Sequence, residues 1–112
     1  MPDSTHPGAI LRALMADAGA LAPFVWDAGL ARFAEDAGHH AVYMTGFGTA
    51  FTYGLPDIGL LGLDEMAANA ERIAGAVDVP VIADADTGYG NPVNVTHTVE
   101  RYERAGVAAL HI

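Results

Sequence analysis

The chain of 112 residues contains neither cysteine nor lysine. The absence of cysteine excludes disulfides, thiolate nucleophiles and zinc sites built on cysteine within these residues. All five basic residues are arginines, so no lysine can form a Schiff base or act as an acid or base. Residues 1–3 also lack the positive charge that begins a signal peptide. Together these absences predict a cytoplasmic protein.

Basic residues are scarce relative to acidic ones. The chain has 14 acids and five bases, which gives a formal net charge of −9. Nucleic acids and anionic membranes both need a basic surface, so neither is expected as a partner. Charged residues interrupt every apolar run well before the roughly 20 residues that span a bilayer. With 52% hydrophobic and 17% charged residues, residues 1–112 are expected to form a single domain.

Several segments show the 3.6-residue spacing of apolar side chains that is typical of helices. They cover residues 10–18, 27–37, 64–77 and 91–105. Asp27 and Asn91 are predicted N-caps, and Pro92 suits the first helical position. A glycine follows three of the segments, where a left-handed residue commonly ends a helix. These predicted stops are Gly19, Gly38 and Gly106.

Short apolar runs alternate with these segments and predict strands. The runs cover residues 23–26, 41–45, 79–83 and 107–112. Strands that alternate with helices indicate βαβ units and a parallel sheet. The predicted order is a helix, three βα units and a fourth parallel strand, which is roughly half of a (β/α)8 TIM barrel of about 250 residues. We therefore expect an α/β fold, the N-terminal part of a TIM barrel truncated at its fourth strand, with a long connection over residues 46–62.

The most informative segment is VIADADTGYGN at residues 81–91, in which an apolar run leads into two acids and a glycine-rich turn. Asp84 and Asp86 are spaced i and i+2, and in a strand this spacing directs both carboxylates to one face. Two close carboxylates repel each other and raise each other's pKa unless positive charge lies between them. A hard divalent cation is therefore the predicted occupant.

In β/α barrels the active site lies at the C-terminal ends of the strands. Polar residues follow the first three runs, at residues 26–27, 45–48 and 84–91. They combine hydroxyl, backbone amide and carboxylate groups, which suit a chelated small acid. Taken alone, the two aspartates would more often be solvated or cap a helix, and Asp57 after Pro56 would more often belong to a simple turn. His111 is interpreted as a core polar group rather than a catalyst.

Four segments together resemble the isocitrate lyase and phosphoenolpyruvate mutase superfamily, to which the methylisocitrate lyases and carboxyphosphonoenolpyruvate mutases belong. They are YMTG at 43–46, GLPDIGLL at 54–61, PVIADADTGYGN at 80–91 and GVAALHI at 106–112. The segments follow the family's order over nearly the whole chain. The resemblance covers the N-terminal half of the family's barrel, and the pairing of LPDIG with ADADTGYGN is highly specific.

The resemblance implies a magnesium-dependent enzyme, with manganese as an alternative ion, that cleaves a carbon–carbon bond in a small 2-hydroxy or 2-oxo carboxylic acid through a metal-stabilised enolate. The implied metal-site residues are Asp57, Asp84 and Asp86. The implied substrate-binding residues are Tyr43, Thr45, Gly46 and Phe47. Asp57 would hold metal-bound water, and Thr45 stands where many members carry serine.

The same resemblance implies that the family's acid/base residues lie beyond Ile112, so no catalytic residue is assigned. A phosphonomutase acting on phosphoenolpyruvate or carboxyphosphonoenolpyruvate is the alternative activity. A catalytically silent, truncated product that self-associates through open sheet edges is another alternative. A metal aldolase of a different barrel family would share the chemistry but not the paired motifs. The complete protein is expected to be a homo-oligomer.

Overall fold

The computed structural model describes residues 5–112, so the expectation drawn from residues 1–3 lies outside the described residues. Helices and strands alternate along this part of the chain. The elements are α1 (Pro7–Asp17), β1 (Phe24–Val25), α2 (Ala28–Asp36), β2 (Val42–Met44), α3 (Gly46–Thr52), α4 (Leu63–Ala76), β3 (Val81–Asp84), α5 (Pro92–Arg104) and β4 (Ala109–His111). No helix within residues 5–112 has the length and apolar character needed to cross a membrane.

The four strands form one parallel sheet in the order β1-β2-β3-β4. Strands that follow one another in the chain are also neighbours in the sheet, as in consecutive βαβ units. The predicted parallel sheet and its order of strands are therefore confirmed. Because all strands run in the same direction, their C-terminal ends lie along one edge, which brings the segments that follow β1, β2 and β3 together.

The core lies between one face of the sheet and the helices. Strand residues on this face are at most 1% exposed: Val25, Val42, Met44, Val81 and Ala83. Helices α2, α4 and α5 supply the opposing side chains, among them Ala31, Ile73 and Tyr102. Alternation along each strand directs the other set of residues to the opposite face. On that face Phe24 is exposed, whereas Tyr43 and Ile82 are partly exposed.

The predicted helix boundaries are largely confirmed. Asp27 accepts a hydrogen bond from the Leu30 amide at 2.7 Å and so caps α2. Asn91 caps α5 through the amides two and three residues ahead, and Pro92 is the first helical residue. The three predicted stop glycines have left-handed φ angles of 81°, 93° and 89°. Local sequence signals were sufficient here because each cap involves residues close together in the chain.

The predicted long connection over residues 46–62 contains a helix that the sequence did not predict, since α3 occupies its first part. Thr45 caps this helix by accepting a hydrogen bond from the Gly48 amide at 3.2 Å, and the Thr49 hydroxyl donates to the Thr45 carbonyl at 2.6 Å. Glycines before and inside this segment favoured a loop over a helix. The strands are also shorter than predicted, and β3 ends at Asp84 rather than at Ala83.

Glu35 of α2 anchors the connection that leads into β3. Its Oε2 accepts hydrogen bonds from the amides of Asp78 and Val79 at 2.7 and 3.0 Å. We expect Glu35→Ala to lower the free energy of unfolding by about 1–3 kcal/mol, because both amides lose a charged acceptor. Urea denaturation measures this loss, with the exposed neighbour Asp36→Ala as control. Equal effects of the two substitutions would contradict the assignment.

Candidate active site

A cavity of about 620 Å³ opens at the edge where the strands end. Its volume suits a small organic ligand. Its walls come from the start of α3, the connection before α4, the loop between β3 and α5, and the end of β4. The lining includes Gly46, Asp57, Asp84, Asp86, Tyr89 and His111. Of the three polar segments expected at this edge, residues 45–48 and 84–91 contribute to the cavity lining, whereas residues 26–27 do not.

Asp84 and Asp86 both line the cavity, but strand alternation is not the reason. The strand ends at Asp84, and Asp86 has a left-handed φ of 50°. The backbone turns there, with the Asp86 amide donating to Oδ1 of Asp84 at 2.8 Å and the Gly88 amide donating to the Ala85 carbonyl at 2.9 Å. The prediction that a strand directs both carboxylates to one face is therefore wrong. A turn brings both residues to the same cavity.

Two glycines allow neighbouring backbone to approach these carboxylates closely. A Cβ atom at Gly46 would overlap Oδ2 of Asp84. At Gly59, where φ is 74°, a Cβ atom would lie 3.2 Å from Oδ2 of Asp86. Asp57 lies two residues before Gly59 in the same connection and lines the same cavity. The absence of a side chain at both glycines leaves room for the carboxylates beside the backbone.

The two aspartates fit a magnesium ion. Within residues 5–112 no three acidic or imidazole side chains are grouped closely enough to form a complete metal site. Mg²⁺ does not need one, because it is commonly held by one or two carboxylates and completes its shell with water and substrate oxygens. The ion pairs of Arg101 and Arg104 involve other acids, so among the described residues Asp84 and Asp86 have no basic partner. The role of Asp57 in holding metal-bound water stays a prediction.

The predicted substrate-binding residues differ in how they lie relative to the cavity. Gly46 lines the cavity. Thr45 is buried, and its side-chain oxygen caps α3. Phe47 is 63% exposed and stacks on Phe51, with ring centroids 6.3 Å apart. Neither Thr45 nor Phe47 is among the residues lining the cavity in the described chain, and the substrate-binding roles of all four residues stay predictions.

Tyr43 reaches the cavity through His111. The Tyr43 hydroxyl lies 2.9 Å from Nδ1 of His111, whose ring lines the cavity. His111 is exposed, so its interpretation as a core polar group is wrong. Burial, followed by the negative charge of Asp84, raises the pKa of Tyr43. The phenol therefore keeps its proton at neutral pH and can donate a hydrogen bond.

Sequence reasoning assigned no role to Tyr89 and Tyr102. Tyr89 lines the cavity with a left-handed φ of 62°, and its hydroxyl lies 3.3 Å from that of Tyr102. Burial chiefly raises the pKa of Tyr89 to about 12, although the hydrogen bond that it shares with Tyr102 acts in the opposite direction. Burial also raises the pKa of Tyr102, whose hydroxyl donates to the Asp84 carbonyl at 2.9 Å. The one sequence feature that could have indicated a role for Tyr89 is its position between Gly88 and Gly90 in the motif.

A further missed residue is Asn69, buried on α4. Its Nδ2 donates to the Trp26 carbonyl at 3.0 Å and lies 3.2 Å from Oγ1 of Thr49. The Thr49 hydroxyl in turn donates to the Thr45 carbonyl at 2.6 Å. This network joins α4 to the end of β1 and to the first turn of α3, so it supports the backbone beside Gly46.

The parallel sheet with its strands in sequence order, alternating with helices, defines the class of protein as an α/β fold of the TIM-barrel type, and the acidic cavity lies at the edge where such folds place their active sites. Residues 11–112 match the phosphoenolpyruvate phosphomutase family. The chain belongs to this family, within the phosphoenolpyruvate mutase and isocitrate lyase superfamily, and the resemblance noted in its motifs is confirmed.

Known relatives agree with this assignment. The chain is 52% identical over 93 residues to 2,3-dimethylmalate lyase of Eubacterium barkeri, covering 82% of this chain and 32% of the relative. It is 42% identical over 108 residues to 2-methylisocitrate lyase of Aeropyrum pernix, covering 96% and 35%. A crystal structure of phosphonopyruvate hydrolase with oxalate and Mg²⁺ matches with a TM-score of 0.88 and 34% identity over 93% of this chain and 37% of that one. The chain thus spans about a third of the length of these relatives.

Proposed function

We propose that this chain supplies the metal-binding part of a magnesium-dependent lyase that cleaves a carbon–carbon bond in a small 2-hydroxy or 2-oxo carboxylic acid. The observation that carries the proposal is the position of Asp84 and Asp86, two acids without a basic partner among the described residues, on one 620 Å³ cavity. Family membership supports it, since the two relatives are lyases named for 2,3-dimethylmalate and 2-methylisocitrate.

Asp84 and Asp86 would hold the ion, and Asp57 would orient water around it from the facing connection. Mg²⁺ supplies positive charge where negative charge develops on the substrate, and Mn²⁺ would serve in the same way. The backbone at Gly46 and its neighbours Thr45 and Phe47 would bind the substrate's carboxylate. Tyr43 keeps its proton on the phenol oxygen, which lets it donate a hydrogen bond to a substrate oxygen.

A phosphonomutase is the second candidate. The matching family takes its name from phosphoenolpyruvate phosphomutase, and phosphonopyruvate hydrolase is a structural relative. Both candidate activities would use the same acids, because each needs a cation to hold a small anionic substrate. The substrate that is turned over, rather than the cation site, therefore distinguishes them.

The protein is further proposed to act in the cytoplasm as a homo-oligomer. The absence of cysteine is consistent with a reducing compartment. Large side chains left exposed around α3, including Phe47, Phe51 and Tyr53, support self-association. Sedimentation of the purified protein tests the oligomeric state.

The proposed function predicts that turnover depends on the two carboxylates. We expect Asp84→Asn and Asp86→Asn each to lower kcat/KM about 100-fold or more, since the cation contributes several kcal/mol to the transition state. Asp36→Asn is the matched control, because it removes the same charge from α2 at the opposite end of the strands. The assay measures turnover of 2-methylisocitrate, 2,3-dimethylmalate and phosphonopyruvate by the full-length protein, with Mg²⁺ and with a chelator.

Turnover that survives chelation, or equal losses from Asp84→Asn and Asp36→Asn, would contradict the proposed function. If phosphonopyruvate is turned over and the other two acids are not, the result would favour the phosphonomutase alternative. Absence of turnover in the presence of Mg²⁺, with Mn²⁺ binding also absent by electron paramagnetic resonance, would favour the catalytically silent alternative.

A further inference from the structure

The buried face of α5 contacts the loop that carries the two acids. Residues 84–90 are called the acid loop below. Thr98 and Tyr102 lie one helical turn apart on α5, and both are 0% exposed. The Thr98 hydroxyl donates to the Gly88 carbonyl at 2.7 Å, and the Tyr102 hydroxyl donates to the Asp84 carbonyl at 2.9 Å. These two carbonyls lie on either side of Asp86.

The acid loop adopts a conformation that its own residues do not favour. Asp86 and Tyr89 have left-handed φ angles of 50° and 62°. Such angles in residues other than glycine cost free energy and persist only where the surroundings determine them. Within the loop, the Asp86 amide bonds to Asp84 and the Gly88 amide bonds to Ala85, and both are local contacts. Stabilisation from another element is therefore needed to select this conformation.

We propose that Thr98 and Tyr102 are positioning residues that hold the acid loop and thereby orient the carboxylates of Asp84 and Asp86 for a divalent cation. The cation part of this inference rests on the proposed function. Each hydroxyl would act through a backbone carbonyl rather than as a ligand of the cation. Their effect on affinity comes from fixing the distance between the two acids before the ion binds.

The choice of hydrogen-bond partner separates this role from ordinary helix packing. A threonine inside a helix usually bonds to the carbonyl three or four residues before it. Thr96, in the same helix, does so with Pro92 at 3.4 Å. Thr98 instead donates to Gly88, ten positions earlier, and Tyr102 donates to Asp84, 18 positions earlier. Both buried hydroxyls are thus used on the acid loop rather than on their own helix.

Thr98→Val and Tyr102→Phe test the inference because each removes a hydroxyl while nearly preserving shape. We expect each to weaken Mn²⁺ binding by about 10- to 100-fold, the range found when outer partners of metal ligands are removed. Electron paramagnetic resonance titration measures the affinity. Thr98→Ser retains the hydroxyl and should restore binding to near the original value. In the metal-free protein, the amides of Asp86 and Gly88 should exchange hydrogen faster in both hydroxyl-free variants.

Two control variants test whether weaker Mn²⁺ binding could arise from any hydroxyl loss on α5 or from a general loss of stability. Thr96→Val makes the same chemical change on α5 but removes only a local bond, so Mn²⁺ affinity should not change. Ile73→Val removes a buried methylene from α4 and reports how far a general loss of stability weakens binding. The inference is overturned if Thr98→Val and Tyr102→Phe bind Mn²⁺ as the unmodified protein does, or if Ile73→Val weakens binding equally.

The two proposals fail in different ways. If Asp84→Asn leaves Mn²⁺ binding unchanged, or the unmodified protein binds no Mn²⁺, the proposed function fails. Amide exchange then still decides whether Thr98 and Tyr102 hold the acid loop, and unchanged exchange rates at Asp86 and Gly88 would overturn that role. If Asp84→Asn abolishes binding while the two hydroxyl-free variants bind normally, the positioning role alone fails.

Discussion

Gly46→Ala is expected to lower kcat/KM about 100-fold and to weaken Mn²⁺ binding, although the change adds only one methyl group. The new Cβ would overlap Oδ2 of Asp84 and lie 3.0 Å from its Cγ. The Asp84 backbone is held in β3 and by Tyr102, and its Oδ1 already accepts the Asp86 amide. The carboxylate must therefore shift, and misplacement by about 1 Å can cost 100-fold in rate.

Gly75→Ala is the matched control for this substitution. Gly75 lies in α4, and a Cβ atom there would meet nothing within 4 Å. Neither Gly46 nor Gly75 has a positive φ, so alanine is compatible with the backbone at both. Gly75→Ala should leave kcat/KM unchanged and slightly stabilise the helix. Activity of Gly46→Ala within about twofold of that of the unmodified protein would mean that Asp84 moves freely, contrary to the expectation.

Gly88→Ala is expected to lower the free energy of unfolding by about 2–5 kcal/mol, from two separable causes. The φ of Gly88 is 92°, and a side chain in this region costs about 1–2 kcal/mol. A Cβ there would also lie 2.6 Å from Cγ2 of Val95, and such overpacking costs about 1–3 kcal/mol. Chemical denaturation, monitored by circular dichroism, measures the total.

Two further variants separate these causes. Gly38 has a nearly equal φ of 93° with nothing within 4 Å of a new Cβ, so Gly38→Ala reports the backbone cost alone. Val95→Ala relieves the contact, and the double variant Gly88→Ala/Val95→Ala should be more stable than the sum of single effects predicts, by about 0.5–3 kcal/mol. If the effects of Gly88→Ala and Val95→Ala simply add, or Gly88→Ala costs no more than Gly38→Ala, the contact with Val95 is unimportant.

Much of the fold could be predicted because its signals are local. Asp27, Asn91 and Pro92 mark helix starts through bonds to amides a few residues away. Gly38 ends α2 because a left-handed residue is easiest for glycine. Helix α3 was not predicted because the glycines at 46 and 48 have low helix propensity. The helix depends instead on the Thr45 cap and on the buried contact between Thr49 and α4.

In the candidate site, too, the sequence predicted what depends on local residues and missed what depends on tertiary contacts. Asp84 and Asp86 were expected on one face of a strand, and they do line one cavity, yet a turn at Asp86 brings them there. Spacing in the sequence could not reveal that turn, since a left-handed aspartate depends on stabilisation from outside the loop. From the sequence, Thr98 and Tyr102 could be recognised only as residues of an amphipathic helix. The carbonyls they bind are 10 and 18 positions away, so no local pattern indicates these bonds.

The sequence by itself therefore determined the types and order of elements, the parallel sheet, the family and the acids that line the cavity. These properties follow from periodicity, caps and motif residues, all of which act over a few positions of the chain. Only the tertiary structure decided how Gly46 lies against Asp84 and how α5 holds the acid loop. Such contacts join distant positions, and their geometry depends on how helices pack on the sheet rather than on local spacing.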